Sequence, residues 1–397
     1  MSKIVGVSEI GHHVFLYGLA LITSLFMAEL FRRKDQSEVI GQVLVGVLLG
    51  PYVLGILYPN EFFSFISEIG ALTLLFIAGL ETDVKMLIKS GPAALVLAVS
   101  GLALTILLSF PIVYFFSGSI IIAIFVSITL GATSISLTVR IFDEMGKLRT
   151  PLAQMIIISA VFDDLIVMIL AVFVLDIAHL GTSTINSLIY TLSSIAVFFA
   201  ITIGFMIVFV KYIDAYLQRF YSRGALLIFA FSFALLYGYF ASLMGFSPII
   251  GAYFAGVIVA ESDIEHEVIE GISPLAFVTV PIFLVNIGLK FNLSIIGEAM
   301  VFGGLLSAAA IFGKLLSGFP ANKMRKGTRT EGIILGASMM PRAEVVLIFA
   351  GIGLEMGIIN DLWFSSLVLV MMTTTFLTPI ILKYLLTRGD IKYGEAD

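Results

Sequence analysis

The sequence predicts an all-α polytopic membrane protein with thirteen transmembrane helices, inverted-topology repeats and two interrupted helices. Three observations lead there: an apolar, charge-poor composition, a series of apolar runs of spanning length, and echoes between the two halves of the chain. The 397 residues are 59% hydrophobic and only 12% charged, with a mean hydropathy of +1.11. A soluble domain is roughly 45–50% apolar and about 25% charged. The inversion excludes a soluble globular protein, a disordered tail and a nucleic-acid binder. With 22 Lys plus Arg against 27 Asp plus Glu, the net charge of −5 points to no polyanionic partner. Cysteine is absent, so no disulfide or thiolate chemistry is available.

A spanning helix needs about 20 mainly apolar residues. Such runs fall at 12–31, 38–58, 62–80, 93–116, 119–139, 151–175, 187–210, 224–244, 247–260, 272–289, 293–320, 331–353 and 362–387. The first has no basic flank ahead of it and is too long for a signal peptide. The second contains Gly50-Pro51, the fourth Pro111, and the short ninth begins near Pro248. The fifth is interrupted at Gly131-Ala-Thr-Ser134 and the twelfth at Met340-Pro341-Arg342. Odd numbering of the spans places the N-terminus outside and the C-terminus in the cytoplasm. Lys3 and Lys290 then lie outside, Lys314 and Arg342 lie within spans, and every other Lys and Arg is cytoplasmic, as the positive-inside rule requires. The one discordant cytoplasmic connection is the acidic stretch from Glu261 to Glu270. About ten residues follow the last span, which predicts no cytoplasmic regulatory domain.

Three echoes relate the halves. Gly41-Gln-Val-Leu-Val-Gly46 resembles Gly251-Ala-Tyr-Phe-Ala-Gly256, Phe76-Ile-Ala-Gly79-Leu80 resembles the segment around Gly288-Leu289, and Leu130-Gly-Ala-Thr133-Ser134 resembles Leu335-Gly-Ala-Ser338-Met339. The partners are seven spans apart, and an odd separation reverses topology, as in secondary transporters whose substrate sites lie between interrupted helices near the midplane. Broken helices free backbone carbonyls, which are tolerated at membrane depth only where protein or a cavity meets them.

Ionisable groups inside spans are expensive and mark function. Asp163-Asp164 sits near the centre of the sixth span. Successive helical residues point about 100° apart, so one carboxylate can meet a cation on another helix while the other faces water. Lys314, well inside the eleventh span, is the natural partner. The competing structural reading is an ion bridge that only fixes helix packing, for which two adjacent carboxylates are more than is needed. Arg342 and Glu344 flank the break in the twelfth span, where they can pair locally and, with Pro341, stabilise freed backbone. Thr133, Ser134 and Ser136 can offer oxygens to a cation or simply pack closely. Glu68 reads as a hydrogen-bonded interior group, Glu29 as a solvated edge beside Arg32, and His12 and His13 as interfacial.

A desolvated carboxylate takes a proton or a small hard cation, hardly both, and such cations want oxygen ligands. Competition at one carboxylate combined with alternating access gives exchange of a cation for protons. If Lys314 also gives up a proton, two protons move per cation and exchange is electrogenic. His266-Glu267-Val-Ile-Glu270 lacks the second His of a zinc-protease helix and reads as a surface loop. Adjacent aspartates on one helix do not make an aspartyl-protease dyad, no phosphate-cradling loop appears, and nothing resembles a channel filter. A transporter without enzymatic activity or cofactor is therefore expected. A cation-coupled organic-anion symporter on the same scaffold is the alternative, and an intramembrane hydrolase is the reading from another class.

Gly131-Ala-Thr-Ser-Ile-Ser136, Val161-Phe-Asp163-Asp164, Gly313-Lys314, Met340-Pro341-Arg342-Ala-Glu344 and Phe76-Ile-Ala-Gly-Leu-Glu81 with Asp83 together resemble the cation:proton antiporter-2 family, over nearly the whole chain. The likeness is to bacterial and archaeal electrogenic sodium/proton antiporters with an NhaA-like antiporter fold. It implies two broken helices that cross, an ion-translocation core over 62–175 and 272–353, and a dimerisation scaffold over 12–58, 187–260 and 362–387. It implies Asp164 as the sodium- and proton-binding carboxylate, Asp163 paired with Lys314, and a homodimer in the cytoplasmic membrane that works by an elevator motion. The family's electroneutral branch carries Asn where this chain has Asp163. Its potassium-efflux members usually add a nucleotide-binding tail, which leaves sodium, possible lithium, and potassium as cargo in that order of expectation.

Overall fold

A computed structural model describes residues 9–34, 36–81, 92–134, 136–147, 150–180, 185–208, 223–244, 248–262 and 264–388. Regular structure there is helical, and no strand occurs among the described residues. In chain order the helices are α1 (Glu9–Arg32), α2 (Glu38–Leu49), α3 (Glu61–Leu80), α4 (Pro92–Ser117), α5 (Ile120–Thr129), α6 (Ser136–Glu144), α7 (Pro151–Leu180) and α8 (Ile185–Val208). They continue with α9 (Arg223–Leu243), α10 (Pro248–Ala260), α11 (Glu265–Leu289), α12 (Ile296–Arg325), α13 (Arg329–Ser338), α14 (Glu344–Glu355) and α15 (Asp361–Arg388). Among the described residues eight helices, α1, α3, α4, α7, α9, α11, α12 and α15, are long and apolar enough to cross a membrane, and shorter apolar stretches lie in α2, α5, α8 and α10. The chain is a multi-span membrane protein.

Local chemistry sets the helix ends. Asn60 caps α3 by accepting from Phe63 N at 3.0 Å, and Thr328 with Glu331 forms a reciprocal capping box at the start of α13. The second apolar run stops early, because Gly50-Pro51 ends α2 and the chain turns through Gly55 at φ +61°. The acidic stretch expected as a connection is instead helical from Glu265, so His266 and Glu267 lie in the exposed first turn of α11 rather than in a loop. Acidic residues suit a helix N-terminus, where the dipole is positive. Glu68 also departs from expectation, since its place on α3 is exposed rather than interior. Glu29 pairs with Arg32 one turn away, and His13 stacks on Phe62. Asp83 and the loop cations Lys3, Lys85, Lys89, Arg149, Lys211, Arg219 and Lys392 lie outside the described residues.

Packing divides the chain into two units: Met1–Arg32, Glu38–Val84 and His179–Lys290 in the first, and Arg33–Ser37, Lys85–Ala178 and Phe291–Asp397 in the second. This division differs from the core and scaffold expected from the sequence, because α3 and α11 fall in the first unit and α15 in the second. The cause is close helix contact. In the first unit a β-carbon on Gly79 would lie 2.0 Å from Tyr253 O and one on Gly256 2.1 Å from Phe76 O, so α3 and α10 cross backbone to backbone. The same arrangement recurs between α2 and α11, where a β-carbon on Gly46 would lie 2.0 Å from Val285 O and one on Gly288 2.1 Å from Val43 O. Gly46 and Gly256 are equivalent in one sequence echo, Gly79 and Gly288 in another. The halves of the chain therefore meet twice with their partners exchanged, as a two-fold related repeat requires. In the second unit α15 packs on α12, where a β-carbon on Gly303 would meet Leu369 Cβ at 3.0 Å and Ser366 Oγ reaches toward Ala299 O at 3.5 Å.

The third echo needs a correction of one turn. α5 ends at Thr129 and α13 at Ser338, and both are ten-residue half-helices. Structural equivalence thus pairs Leu130 with Met339 and Thr133 with Arg342, not Leu130 with Leu335.

Gly46→Val and Gly256→Val should each cost at least the ~1–3 kcal/mol of ordinary overpacking, because the obstructing atom is a main-chain carbonyl that cannot rotate away. Gly304→Ala, with nothing within 4 Å of its β-carbon position, should stay near wild type. Melting curves of detergent-solubilised protein followed by size exclusion will separate the two groups.

Candidate functional site

The second unit gathers the charged residues that the sequence placed inside spans. α7 runs without interruption through Asp163 and Asp164. Asp163 is fully buried, and Lys314 of α12 donates to both of its oxygens, at 3.0 Å to Oδ1 and 2.8 Å to Oδ2. Lys314 is itself fully buried, and Gly101 on α4 makes its room, since a β-carbon there would stand 3.0 Å from Lys314 Cδ and 3.2 Å from Nζ. Thr133 supplies a third donor to Asp163, with Oγ1 at 2.5 Å from Oδ2. A hydroxyl has one proton, so the longer 3.2 Å approach of Thr133 Oγ1 to Met339 O is the weaker alternative.

Asp164 differs from its neighbour. Its side chain is only partly buried, yet Oδ1 is shielded from solvent and has no hydrogen-bond partner among the described residues. Two adjacent carboxylates thus have unequal surroundings: one is matched by an ammonium and a hydroxyl, and the other keeps an oxygen unmatched.

Around them the two broken helices are stitched directly to one another. Ser134 N donates to Pro341 O at 2.9 Å, and Thr138 Oγ1 donates to Ser338 O at 2.8 Å. The breaks thereby satisfy backbone groups that lipid could not. Arg342 is fully buried, with Nη1 donating to Met339 O at 3.0 Å and to Thr133 Oγ1 at 3.3 Å, while Nε and Nη2 have no partner among the described residues. Thr133 Oγ1 therefore gives its proton to Asp163 and receives one from Arg342, which joins the crossing to the ion pair.

Arg342 and Glu344 do not form the local pair expected from the sequence. Only Ala343 separates them, and its backbone is non-helical at φ −145°, ψ −116°, which sends the two side chains different ways. Glu344 accepts from Ser134 Oγ at 3.1 Å instead, so it bridges the start of α14 to the opposite break. Pro341 contributes its carbonyl. The side chain of Ser136 lies outside the described residues.

Sequence reasoning missed Thr375 on α15, whose hydroxyl donates to Arg342 O, and Thr138, which caps Ser338. The signal for Thr375 was present in the run Thr373-Thr374-Thr375, polar residues within an otherwise apolar span. Gly101 carried no signal, because its role is room for a side chain two hundred residues away.

The chain matches the family model described as the sodium/hydrogen exchanger, transmembrane, over residues 18–388. It is 33% identical over 371 residues to a Na(+)/H(+) antiporter of Enterococcus hirae, covering 92% of this chain and 96% of the relative. It is 34% identical over 388 residues to the Na(+)/H(+)-K(+) antiporter GerN of Bacillus cereus, covering 95% and 97%. Among solved structures it resembles the sodium proton antiporter MjNhaP1 from Methanocaldococcus jannaschii with a TM-score of 0.74 at 17% identity, covering 96% of this chain and 99% of that one. The fold is thus like that of MjNhaP1, where the sequence suggested an NhaA-like label.

Removing one partner of a buried ion pair leaves an uncompensated charge. Lys314→Met should destabilise the protein by about 3–5 kcal/mol, and so should Asp163→Asn by a similar order. The double variant should recover most of that loss. A thermal-unfolding double-mutant cycle measures the coupling, and additive losses would show that the two groups do not act as a pair.

Proposed function

We propose that this chain, which belongs to the sodium/hydrogen exchanger family, exchanges sodium for protons across the cell membrane by alternating access. The observation that carries the site assignment is the unequal treatment of Asp163 and Asp164. Asp163 is held by Lys314 and Thr133, whereas Asp164 Oδ1 is shielded and unmatched. A carboxylate in that condition is stabilised by acquiring a proton or a small cation, and competition between the two couples their fluxes.

Asp164 carries sodium, with Asp163, Thr133 and Ser134 completing the ion- and proton-binding group. Lys314 carries the second proton. When Asp164 takes a cation the local charge balance changes, and Lys314 can release a proton while Asp163 turns to the load. Two protons then cross per sodium and exchange is electrogenic. Arg342, Glu344 and Pro341 keep the broken helices crossed while the unit bearing the site moves. The thirteen-span count, the N-terminus outside with the C-terminus in the cytoplasm, and a homodimer belong to the same proposal, which the charge distribution of the loops and the likeness to known antiporters support.

Potassium is the second reading, favoured by the similarity to GerN, whose name records both cations. Lithium is a further candidate because it is a small hard cation like sodium.

In proteoliposomes, sodium-dependent proton movement should fall to background in Asp164→Asn, and unchanged exchange in that variant removes the site assignment. On solid-supported membranes, wild-type exchange should respond to an imposed membrane potential, and Lys314→Met should lose that response. A wild-type rate indifferent to potential overturns the two-proton scheme. Parallel sodium, lithium and potassium gradients decide the cargo.

A further inference from the structure

The turn after α2 carries apolar side chains that the fold leaves uncovered. From 39 to 60 the chain has no charged residue. Tyr52, Val53, Leu54, Ile56 and Tyr58 are exposed, Leu54 at 59%, although they lie in a connection rather than a helix. Connections that face water are ordinarily polar. The turn is nevertheless closely built. The amides of Val53 and Gly55 donate to Gly50 O, that of Leu54 to Leu48 O, and those of Ile56 and Leu57 to Leu49 O, all within 3.4 Å. These bonds close the last carbonyls of α2 and leave the five turn amides with no need of water. Leu57 points inward and is fully buried, in one cluster with Leu16, Ala20, Phe63, Ile282 and Val285.

Two lengths place this turn in the bilayer. Arg32 ends α1 and lies 3.8 Å from Glu38, which opens α2, so these charges mark one membrane edge. α3, with 20 residues, rises about 30 Å, enough to cross the hydrocarbon layer, and it opens with the exposed Glu61 at the other edge. α2 has 12 residues and rises only about 18 Å, so residues 50–60 must cover the remainder. The second length agrees. Ala20 and Leu16, which share the buried cluster with Leu57, stand about 18 Å and 24 Å from Arg32 along α1. The turn therefore sits about 6–12 Å inside the far edge of a layer about 30 Å thick. Phe15 on α1 and Phe65 on α3 are exposed at the same level. The repeat partner α10 is nearly as short, with 13 residues, but the chain leaves it through Glu261, Ser262 and Asp263. An apolar turn follows only one of the two short helices.

We propose that the turn over residues 51–58 is a lipid-facing anchor, whose exposed apolar side chains enter the acyl chains of one phospholipid leaflet just beneath the headgroups. Tyrosine suits that depth, since its ring is apolar and its hydroxyl is wet, and Tyr52 and Tyr58 stand on either side of Leu54 and Ile56. The satisfied amides make the depth tolerable for a non-helical backbone, because an unmatched donor there would be costly. Leu57 fastens the turn to α1, α3 and α11, so the anchor seats the first unit at one depth. The proposed topology assigns this end to the outside. The anchor concerns how the first unit is held in the membrane and does not depend on which ion is carried.

The chain has no cysteine, so one introduced residue can be labelled alone in the full-length protein. Leu54→Cys and, for comparison, Glu61→Cys are each coupled to a nitroxide and reconstituted in phosphatidylcholine and phosphatidylglycerol vesicles. Collisions with dioxygen, which concentrates among acyl chains, are measured against collisions with a water-soluble nickel chelate. The ratio of oxygen to nickel collisions should be several-fold higher at 54 than at 61. A ratio at 54 equal to or below that at 61 places the turn in water and overturns the anchor. A label at 54 that neither probe reaches also overturns it, and spin–spin broadening in that case identifies a second copy of the chain as the cover. Ile56→Cys decides by the same criteria if Leu54→Cys does not reconstitute. Ion exchange does not enter the readout, so failure of the anchor and failure of the transport reading are separate results.

Discussion

An ammonium group sealed away from water has to be matched where it sits, and much of the second unit serves that need for Lys314. Its long side chain lies against Gly101, which leaves space for the stem, and its nitrogen meets both oxygens of Asp163. Asp163 then requires the hydroxyl of Thr133, and Thr133 can present it only because the chain is non-helical at that point. An interrupted helix at depth requires partners for its freed backbone, which the second interruption provides through Pro341, Met339 and Ser338. The order of dependence runs outward from one ion pair to two crossing helices. It also explains why Asp164 can remain unsatisfied. Its neighbour carries the structural burden, and its own Oδ1 is left unmatched among the described residues.

The first unit solves a different problem by the same symmetry. Lipid gives helices little hydrophobic reason to associate, so close approach and dispersion must hold them. The paired glycine crossings bring α2 to α11 and α3 to α10 at main-chain distance. Because the two crossings use equivalent residues from the two halves, one sequence solution serves twice. The glycine crossings of the first unit and the crossed breaks of the second thus arise from a single duplicated pattern.

The sequence carried most of the architecture. Composition named the membrane, apolar runs located the helices, and the adjacent aspartates with a lone lysine named the ion pair. Glycine echoes near one offset gave the repeat. What escaped depended on direction rather than identity. Arg342 and Glu344 are two residues apart and of opposite charge, so pairing is the natural reading, and only the non-helical backbone at Ala343 separates them. The third echo slipped by one turn because Gly131-Ala132 follows the end of α5, whereas Gly336-Ala337 precedes the end of α13. The grouping of α3 and α11 depended on glycine contacts with distant parts of the chain, and that of α15 on its packing against α12 at Gly303, which no local pattern records.

The bond from Ser134 N to Pro341 O joins main chain to main chain, so its persistence does not depend on which side chains flank it. Of the twenty amino acids, only proline at 134 would delete the donor, and none at 341 would delete the acceptor. The register of the crossing is therefore hidden from alanine scanning. What alanine at 134 would remove is the side-chain bond from Ser134 Oγ to Glu344, not the main-chain one that sets the register.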